Sequence, residues 1–407
     1  MNDNNRTTQP RHPGGNTEPR RLSAPERRTV AVVGALYAVR MLGLFMLLPV
    51  LALHAEGLEG ATLFLAGIAV GAYGLTQALL QIPFGVLSDR YGRVPVIVAG
   101  LAIFLCGSVV AAMSTTIGGV IAGRALQGAG AIAAALTALL ADAIRDELRT
   151  RAMTVIGMCI GGSFVVSLVA GAPLAALIGV SGLFWLTAVL AAGAMLLVLT
   201  ALPAEARAAQ AKARLSLAGL RRVIREPRLL ELDAGIFILH LILTATFTAV
   251  PFLLRDALGV AQEHQWRIFL GAIAVSLAGT VPLVLWTERG ARPRRPFTTA
   301  VGALAGALLL LTAAPPSLAL AAFALTVFFA AFNFLEARLP ARLAGLAPAD
   351  ARGAALGVYA SSQFLGVFAG GVLGGWLLER QGPAGVLLFG AAAAAVWTAS
   401  QIRESGR

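Results

Sequence analysis

Few side chains in this 407-residue sequence could bind or move a proton, and most of those few sit in unlikely company. Arg40, Arg124, His240, Asn333 and Glu336 each interrupt a long apolar run. Histidine titrates near neutrality, and a carboxyl group withdrawn from water can hold its proton in the same range. His240 and Glu336 are therefore the candidates for a carried proton, whereas Arg40 and Arg124 suit a neutral or anionic ligand. Glu336 has a second reading as the partner of Arg338 or Arg342, and Asp233 reads as an interfacial residue. Tyr37 and Arg40 stand three residues apart, and Tyr73, Gln77 and Gln81 repeat every four, so each set shares one helix face. These stripes describe either a polar pathway or a structural network between helices. For Arg124 the competing reading is a side chain snorkelling to a headgroup layer.

The rest of the composition removes most other chemistry. There is no His-x-x-x-His pair among four histidines and no phosphate-binding lysine loop, so zinc-peptidase and ATP-driven pump signatures are missing. Cys106 and Cys159 lie in apolar runs, which leaves no disulfide framework or Cys-rich metal site. Neither a metal nor a cofactor is expected, and no catalytic residues are assigned.

The elements that must position these residues follow from hydropathy. Hydrophobic residues make up 58% of the chain and charged residues 13%, roughly half the usual soluble share of about 25%. Mean hydropathy is +0.80. Lipid is the solvent such a chain needs. Apolar segments fall near 29–53, 62–87, 95–113, 117–140, 153–178 and 182–202, then 230–254, 267–286, 297–314, 317–340, 354–378 and 384–401. Crossing a hydrocarbon core takes about 20 helical residues. The expected fold is all-α and polytopic, with twelve transmembrane helices in two six-helix groups. Pro315-Pro316 alone divide the ninth and tenth.

The formal net charge of +12 comes almost entirely from arginine. Basic residues for nucleic acid would gather with aromatics in a soluble module; here they punctuate the joints between segments. The tail carries Arg6, Arg11, Arg20, Arg21, Arg27 and Arg28, and alternate joints carry Arg90 and Arg93, then Arg145, Arg149 and Arg151. The middle linker adds Arg207, Lys212, Arg214, Arg221, Arg222, Arg225 and Arg228; later joints on the same side add Arg289, Arg292, Arg294, Arg295, Arg342 and Arg352. Only Arg255, Arg267 and Arg380 fall on the other side. The positive-inside rule then places both termini in the cytoplasm. Residues 1–28 read as a disordered basic tail without a signal-peptide core, 29–202 and 230–402 as two bundles, 203–229 as a cytoplasmic linker, and 403–407 as a short terminus.

The two groups repeat at an offset near 200. Gly157, Phe164 and Gly171 align with Gly357, Phe364 and Gly371, and Arg40 aligns with His240. Duplicated halves put a site at the midplane between bundles. Gly157-x-x-x-Gly161 and the run Gly366, Gly370, Gly374 have the spacing that lets helices approach closely, and read as packing surfaces on which halves could rock.

The joint after the second segment reads Gly85-Val86-Leu87-Ser88-Asp89-Arg90-Tyr91-Gly92-Arg93. It combines a turn glycine, an acid and two guanidiniums, and resembles the signature loop of the major facilitator superfamily. That resemblance implies a cytoplasmic conformational latch, with Asp89 meeting the start of helix eleven and Arg90 pairing with Asp142. Val94 stands where the family usually has a further basic residue. The stretches Arg40 to Met46, Tyr73 to Gln77, Gln81 to Gly85, Gly123 to Gly128 and Gly357 to Gly366 are similar to the YajR-type branch. By that resemblance Arg124, Gln127, Tyr359 and Gln363 join the substrate and proton pathway. Some members of that branch carry a ferredoxin-like domain after helix twelve, which this sequence is expected to lack. Gly171-Ala172-Pro173 lies one residue off the family's Gly-Pro exporter motif on helix five.

The implied function is proton-coupled export of small organic molecules by a monomer in the inner membrane, in contact with lipid and not nucleic acid. A proton-coupled importer on the same fold is the alternative. A non-transporting membrane sensor and a lipid-acting membrane enzyme rank below both.

Overall fold

The computed structural model describes residues 21–208, 217–288, 294–313, 317–348 and 351–405. Most of the expected tail lies outside the described residues, as do Lys212, Arg214, Arg289, Arg292 and Pro315-Pro316. In the first half, helices run α1 Ala24–Phe45, α2 Leu51–Ala55, α3 Leu63–Tyr91, α4 Arg93–Met113, α5 Ile117–Ala129, α6 Ala133–Ala143 and α7 Asp146–Ala201. Two short helices, α8 Ala204–Ala208 and α9 Leu217–Val223, flank the undescribed part of the linker. The second half contains α10 Pro227–Phe252, a π turn at Leu253–Ala257, a 3-10 turn at Gln262–His264, α11 Gln265–Glu288, α12 Arg294–Thr312, α13 Leu318–Leu346 and α14 Arg352–Ser405.

Eight helices are long and apolar enough to cross a bilayer, two of them spanning 56 and 51 residues. Each of those two is divided by a glycine outside helical geometry, Gly179 at φ 73° and Gly382 at φ 68°. A side chain would strain a backbone with φ in that range, and glycine would not. Divided there, α7 and α14 each supply two segments long enough to cross. With α11 and the shorter apolar α12, the described residues hold twelve segments, and the matching positions of the two glycines repeat the pseudo-symmetry of the halves.

Local chemistry sets the helix ends. Ser23 caps α1 through a reciprocal pair with Glu26, so the helix starts inside the stretch 1–28 that the sequence assigned to a tail. Thr62, Thr116 and Ser317 cap α3, α5 and α13. The expected fourth segment, 117–140, is not continuous: Gly130 at ψ 51° separates α5 from α6. The reason is close packing. A Cβ on Gly128 would lie 2.1 Å from the Tyr73 carbonyl oxygen, and one on Gly130 would lie 2.3 Å from that of Gly100.

In the first half α7 packs on α1 and α4, and α5 packs between α3 and α4; in the second α14 packs on α10 and α12, and α13 on α11 and α12. The halves meet through α3 against α14 and α7 against α11. Below, the end of the bundle holding the α3–α4 connection is termed the joint end, and the opposite one the far end.

Candidate functional site

Arg40 on α1 is 2% exposed. One terminal nitrogen donates to the Tyr73 hydroxyl at 2.8 Å and to Gln77 Oε1 at 2.5 Å. Gln77 passes the chain on to Gln81 Oε1 at 2.8 Å. Arg124, also 2% exposed, lies over the Tyr73 ring with 5.1 Å to its centroid. It donates to Gln127 at 2.9 Å, which donates to Ser108 at 2.8 Å. One tyrosine thus holds two guanidiniums, one at its hydroxyl and one on its ring face, the electron-rich surface that attracts cations. Among the described residues no carboxylate stands within ion-pair distance of either arginine. Arg124 is buried, so it does not snorkel. Tyr37 leaves this set, because its hydroxyl bonds the Ala133 carbonyl oxygen at 2.8 Å and Thr137 at 2.6 Å.

The second half gathers a different set. His240 on α10 lies 2.8 Å from Gln363 Nε2 through its own Nε2, and Nδ1 is 3.3 Å from the Ile236 carbonyl oxygen. A neutral ring protonated on Nδ1 satisfies both contacts, donating to Ile236 and accepting from Gln363. Gln363 also donates to Glu336 Oε1 at 3.4 Å, and Glu336 Oε2 stands 3.9 Å from His240 Nε2. Glu336 Oε2, the Tyr359 hydroxyl and both Asp233 carboxylate oxygens have no hydrogen-bond partner. Asn333 turns elsewhere, donating to Ser276 on α11 at 3.3 Å. Ser108, Thr137 and Ser276 are absent from the sequence reading, since a lone hydroxyl in a greasy helix carries no signal of its partner.

Between the halves, Phe164 on α7 stacks on Phe332 on α13 at 5.9 Å, with Phe45 edge-on to Phe164 at 4.8 Å. Phe332 also takes the His240 ring edge-on at 5.8 Å. Toward the joint end α14 still meets α3, where Ser361 donates to the Ala78 carbonyl oxygen at 3.1 Å, but the surface of α7 is open. Gly157 and Gly161, on the Phe164 face of α7, are exposed, and a Cβ on either would meet nothing within 4 Å. Glu336, one turn from Phe332 on the same face of α13, has a side chain 38% exposed.

Toward the far end the halves are tied. A Cβ on Gly67 would lie 2.3 Å from the Gly371 carbonyl oxygen, and one on Gly74 would lie 2.5 Å from that of Phe364. Glu379 accepts the Phe64 backbone N–H at 2.8 Å, and Arg255 bridges Glu56 and Asp256, both at 2.6 Å. Two glycine expectations change accordingly. Gly157 and Gly161 border open space instead of packing helices. Gly366, Gly370 and Gly374 pack on the backbone of α10 at Phe237, Leu241 and Ala245, inside one half, and not across the interface. Gly171 meets the Met46 carbonyl oxygen at the end of α1, with Pro173 following inside α7. The α3–α14 contact uses Gly67, Gly71, Gly74, Gly371 and Gly375, which the sequence reading passed over save for Gly371 as a repeat match.

At the joint, Gly92 adopts φ 95° and turns the chain between α3 and α4. Arg93 then points inward at 6% exposure, pairing with Asp89, with Asp142 at 2.9 Å and with Ser88 at 2.7 Å. The resemblance assigned Asp142 to Arg90. The structure gives it to Arg93, because only the residue after the turn faces the bundle; Arg90 lies exposed over the Tyr91 ring. Gly85 supplies the carbonyl that accepts the Ser88 hydroxyl.

Residues 33–339 match the family described as Major Facilitator Superfamily. The inner membrane transport protein YajR of Escherichia coli (strain K12) is 42% identical over 387 residues, which cover 94% of this chain and 85% of that protein. The multidrug resistance protein MdtH of Yersinia pestis (strain Pestoides F) is 28% identical over 360 residues, covering 83% of this chain and 84% of its own. Among solved structures, the nucleoside transporter NupG superimposes with a TM-score of 0.72 at 14% identity, over 94% of this chain and 99% of its own. At that identity the likeness concerns the fold.

Proposed function

The chain belongs to the major facilitator superfamily, and from that premise we propose that it is a proton-coupled exporter of small organic molecules working by alternating access. The observation that carries the reading is the asymmetry between the two ends. The halves are tied at the far end by Arg255–Glu56, Glu379 and the α3–α14 glycines, whereas nearer the joint end Gly157 and Gly161 are open and the Glu336 side chain is 38% exposed. Arginine crowding at the joint end supports reading that end, and both termini with it, as cytoplasmic. The name of the 42% identical relative, an inner membrane transport protein, supports the inner-membrane location, and the likeness to a multidrug resistance protein supports reading the direction as export.

The described state is then the cytoplasm-open one. A ligand enters past Gly157 and Gly161 and reaches the Phe164–Phe332 stack and the Glu336–Gln363–His240 group. A proton can move the equilibrium between open states only by binding them unequally. Glu336 has the means, since its carboxylate is loosely held here and would be re-paired when the joint end closes. Arg93, Asp89 and Asp142 hold the α3–α4 turn in the shape that this closure needs.

The test is a proteoliposome carrying a pH gradient, challenged with a panel of metabolites and drugs. Some panel member should dissipate the gradient with wild-type protein and fail to do so with Glu336→Gln, while His240→Ala shifts the pH dependence. A flux indifferent to the gradient, or a pH dependence left unchanged in both variants, would sink the coupling.

A further inference from the structure

The joint after α3 reads Asp89-Arg90-Tyr91-Gly92, and the end of the first segment of α14 reads Glu379-Arg380-Gln381-Gly382. The pattern acid-Arg-x-Gly occurs at these two places and nowhere else in the sequence. We infer that the second copy is a far-end latch, in which Glu379 caps the N-terminus of α3 across the interface and holds the far end shut. The inference rests on the alternating-access part of the reading above and adds the residue that gates the far end.

Three observations carry it. The first is shape. Gly92 at φ 95° ends α3 and Gly382 at φ 68° ends the first segment of α14, so each acid stands one turn before a glycine that only glycine can fill without strain. In each copy the arginine lies over an aromatic ring, Arg90 over Tyr91 at 5.3 Å and Arg380 over Trp376 at 4.9 Å. The acid is left to find another partner. The second is direction. α3 and α14 run antiparallel across the interface, with Gly67 against Gly371 and Gly375, Gly74 against Phe364, and Ala78 against Ser361. The two acids therefore sit at opposite ends of one cross-half helix pair, Asp89 at the joint end and Glu379 at the far end.

The third is the bond itself. Gly371, Gly375 and Glu379 are spaced by four, so the acid continues the face of α14 that packs on α3. A Cβ on Gly375 would lie 2.9 Å from the carbonyl oxygens of Leu63 and Phe64, and Glu379 stands one turn beyond. Thr62 caps α3 by accepting the Leu65 N–H at 3.1 Å, and Glu379 Oε2 accepts the Phe64 N–H at 2.8 Å. First-turn N–H groups have no partner within their own helix and carry the positive end of its dipole, which an anion stabilises. One half supplies the carboxylate and the other the helix end, so the bond is lost whenever the far end opens. Glu379 is exposed, and both groups then pass to water. Arg255 with Glu56 and Asp256 is a separate tie, made between side-chain charges.

Spin labels on Glu59→Cys and Glu263→Cys test this, since both positions are exposed at the far end, one in each half. With Cys106 and Cys159 replaced by serine, opening of the far end reads as a second, longer distance between the labels. Glu379→Gln should raise the long-distance population about two- to five-fold, the worth of an anion at a helix N-terminus. Glu379→Lys should raise it further, because a cation there is repelled. Unfolding midpoints of both variants should stay close to wild type, since Glu379 is exposed. Populations unchanged in both variants, or moved toward the closed far end, overturn the inference. An equal rise with Gln and with Lys overturns it too, because the acid would then be a plain tether and not a charge on a helix end. The distances need neither a ligand nor a gradient. Loss of gradient-driven flux alone would remove the coupled-export reading and leave the latch, whereas distances invariant across the variants with flux intact would do the reverse.

Discussion

Two polar networks lie at related depths in the two halves, and they are finished to different degrees. In the first half, Arg40 donates to Tyr73 and Gln77, Gln77 to Gln81, and Arg124, lying on the Tyr73 ring, to Gln127 and through it to Ser108, so that of these two guanidiniums only each Nε lacks a partner. In the second half, Asp233, Glu336 and Tyr359 keep buried oxygens without partners, while the rest of the Glu336 side chain is 38% exposed. Arg40 and His240 align at the repeat offset, yet Arg40 donates to Tyr73 and Gln77 while His240 bonds Gln363 and lies 3.9 Å from Glu336. A closed network fixes helix positions. An open one leaves groups free to bind and release.

The comparison breaks most easily at Arg40. Arg40→Ala removes two hydrogen bonds from a charged donor, each typically contributing about 1.5–3 kcal/mol, and strands buried acceptors on Tyr73 and Gln77. We expect a loss of about 3 kcal/mol or more, read as a large drop in unfolding midpoint in detergent. Glu336→Ala is the counterpart. It removes a carboxylate held only by a 3.4 Å contact, so stability should change by no more than about 1 kcal/mol, with proton coupling abolished. Equal losses of stability at the two positions would show that the networks do not differ in kind.

How much of this was legible depends on what each residue's signal contained. Apolar runs and arginine-rich joints announced the helices, because lipid and the positive-inside bias act on each segment separately. Arg40, Arg124, His240 and Glu336 were legible through rarity, and the four-residue spacing of Tyr73, Gln77 and Gln81 announced a shared face. Partners were less legible. Arg90 and Arg93 look alike in the sequence, and the φ of Gly92 alone decides which faces Asp142. The glycine spacing in Gly157-x-x-x-Gly161 equals that of Gly67-x-x-x-Gly71, yet one borders open space and the other lies against the α14 backbone. Spacing describes a surface and says nothing of which state of the bundle covers it. A continuous apolar pattern likewise hid the break at Gly130, where close approach to Gly100 ends the helix, whereas the break at Gly179 falls between the fifth and sixth segments read from hydropathy.

The smallest expected effect tests whether the far-end ties set the balance between the two open states. Arg255 and Glu56 are each 37% exposed, and an exposed ion pair contributes only about 0.2–1 kcal/mol. Arg255→Ala should therefore leave unfolding nearly unchanged. It should still move the state equilibrium by about 1.4- to 5-fold toward opening at the far end, because the pair exists only when that end is closed. A cysteine at Gly157 reports this, since its surroundings are open in the described state and a side chain fits there without strain. With Cys106 and Cys159 replaced by serine, maleimide labelling of Gly157→Cys should be slower when Arg255→Ala is added, and adding Glu379→Gln should slow it further. Faster labelling would mean that the far-end ties do not hold this state, and would return the asymmetry of the two ends to the α3–α14 glycines alone.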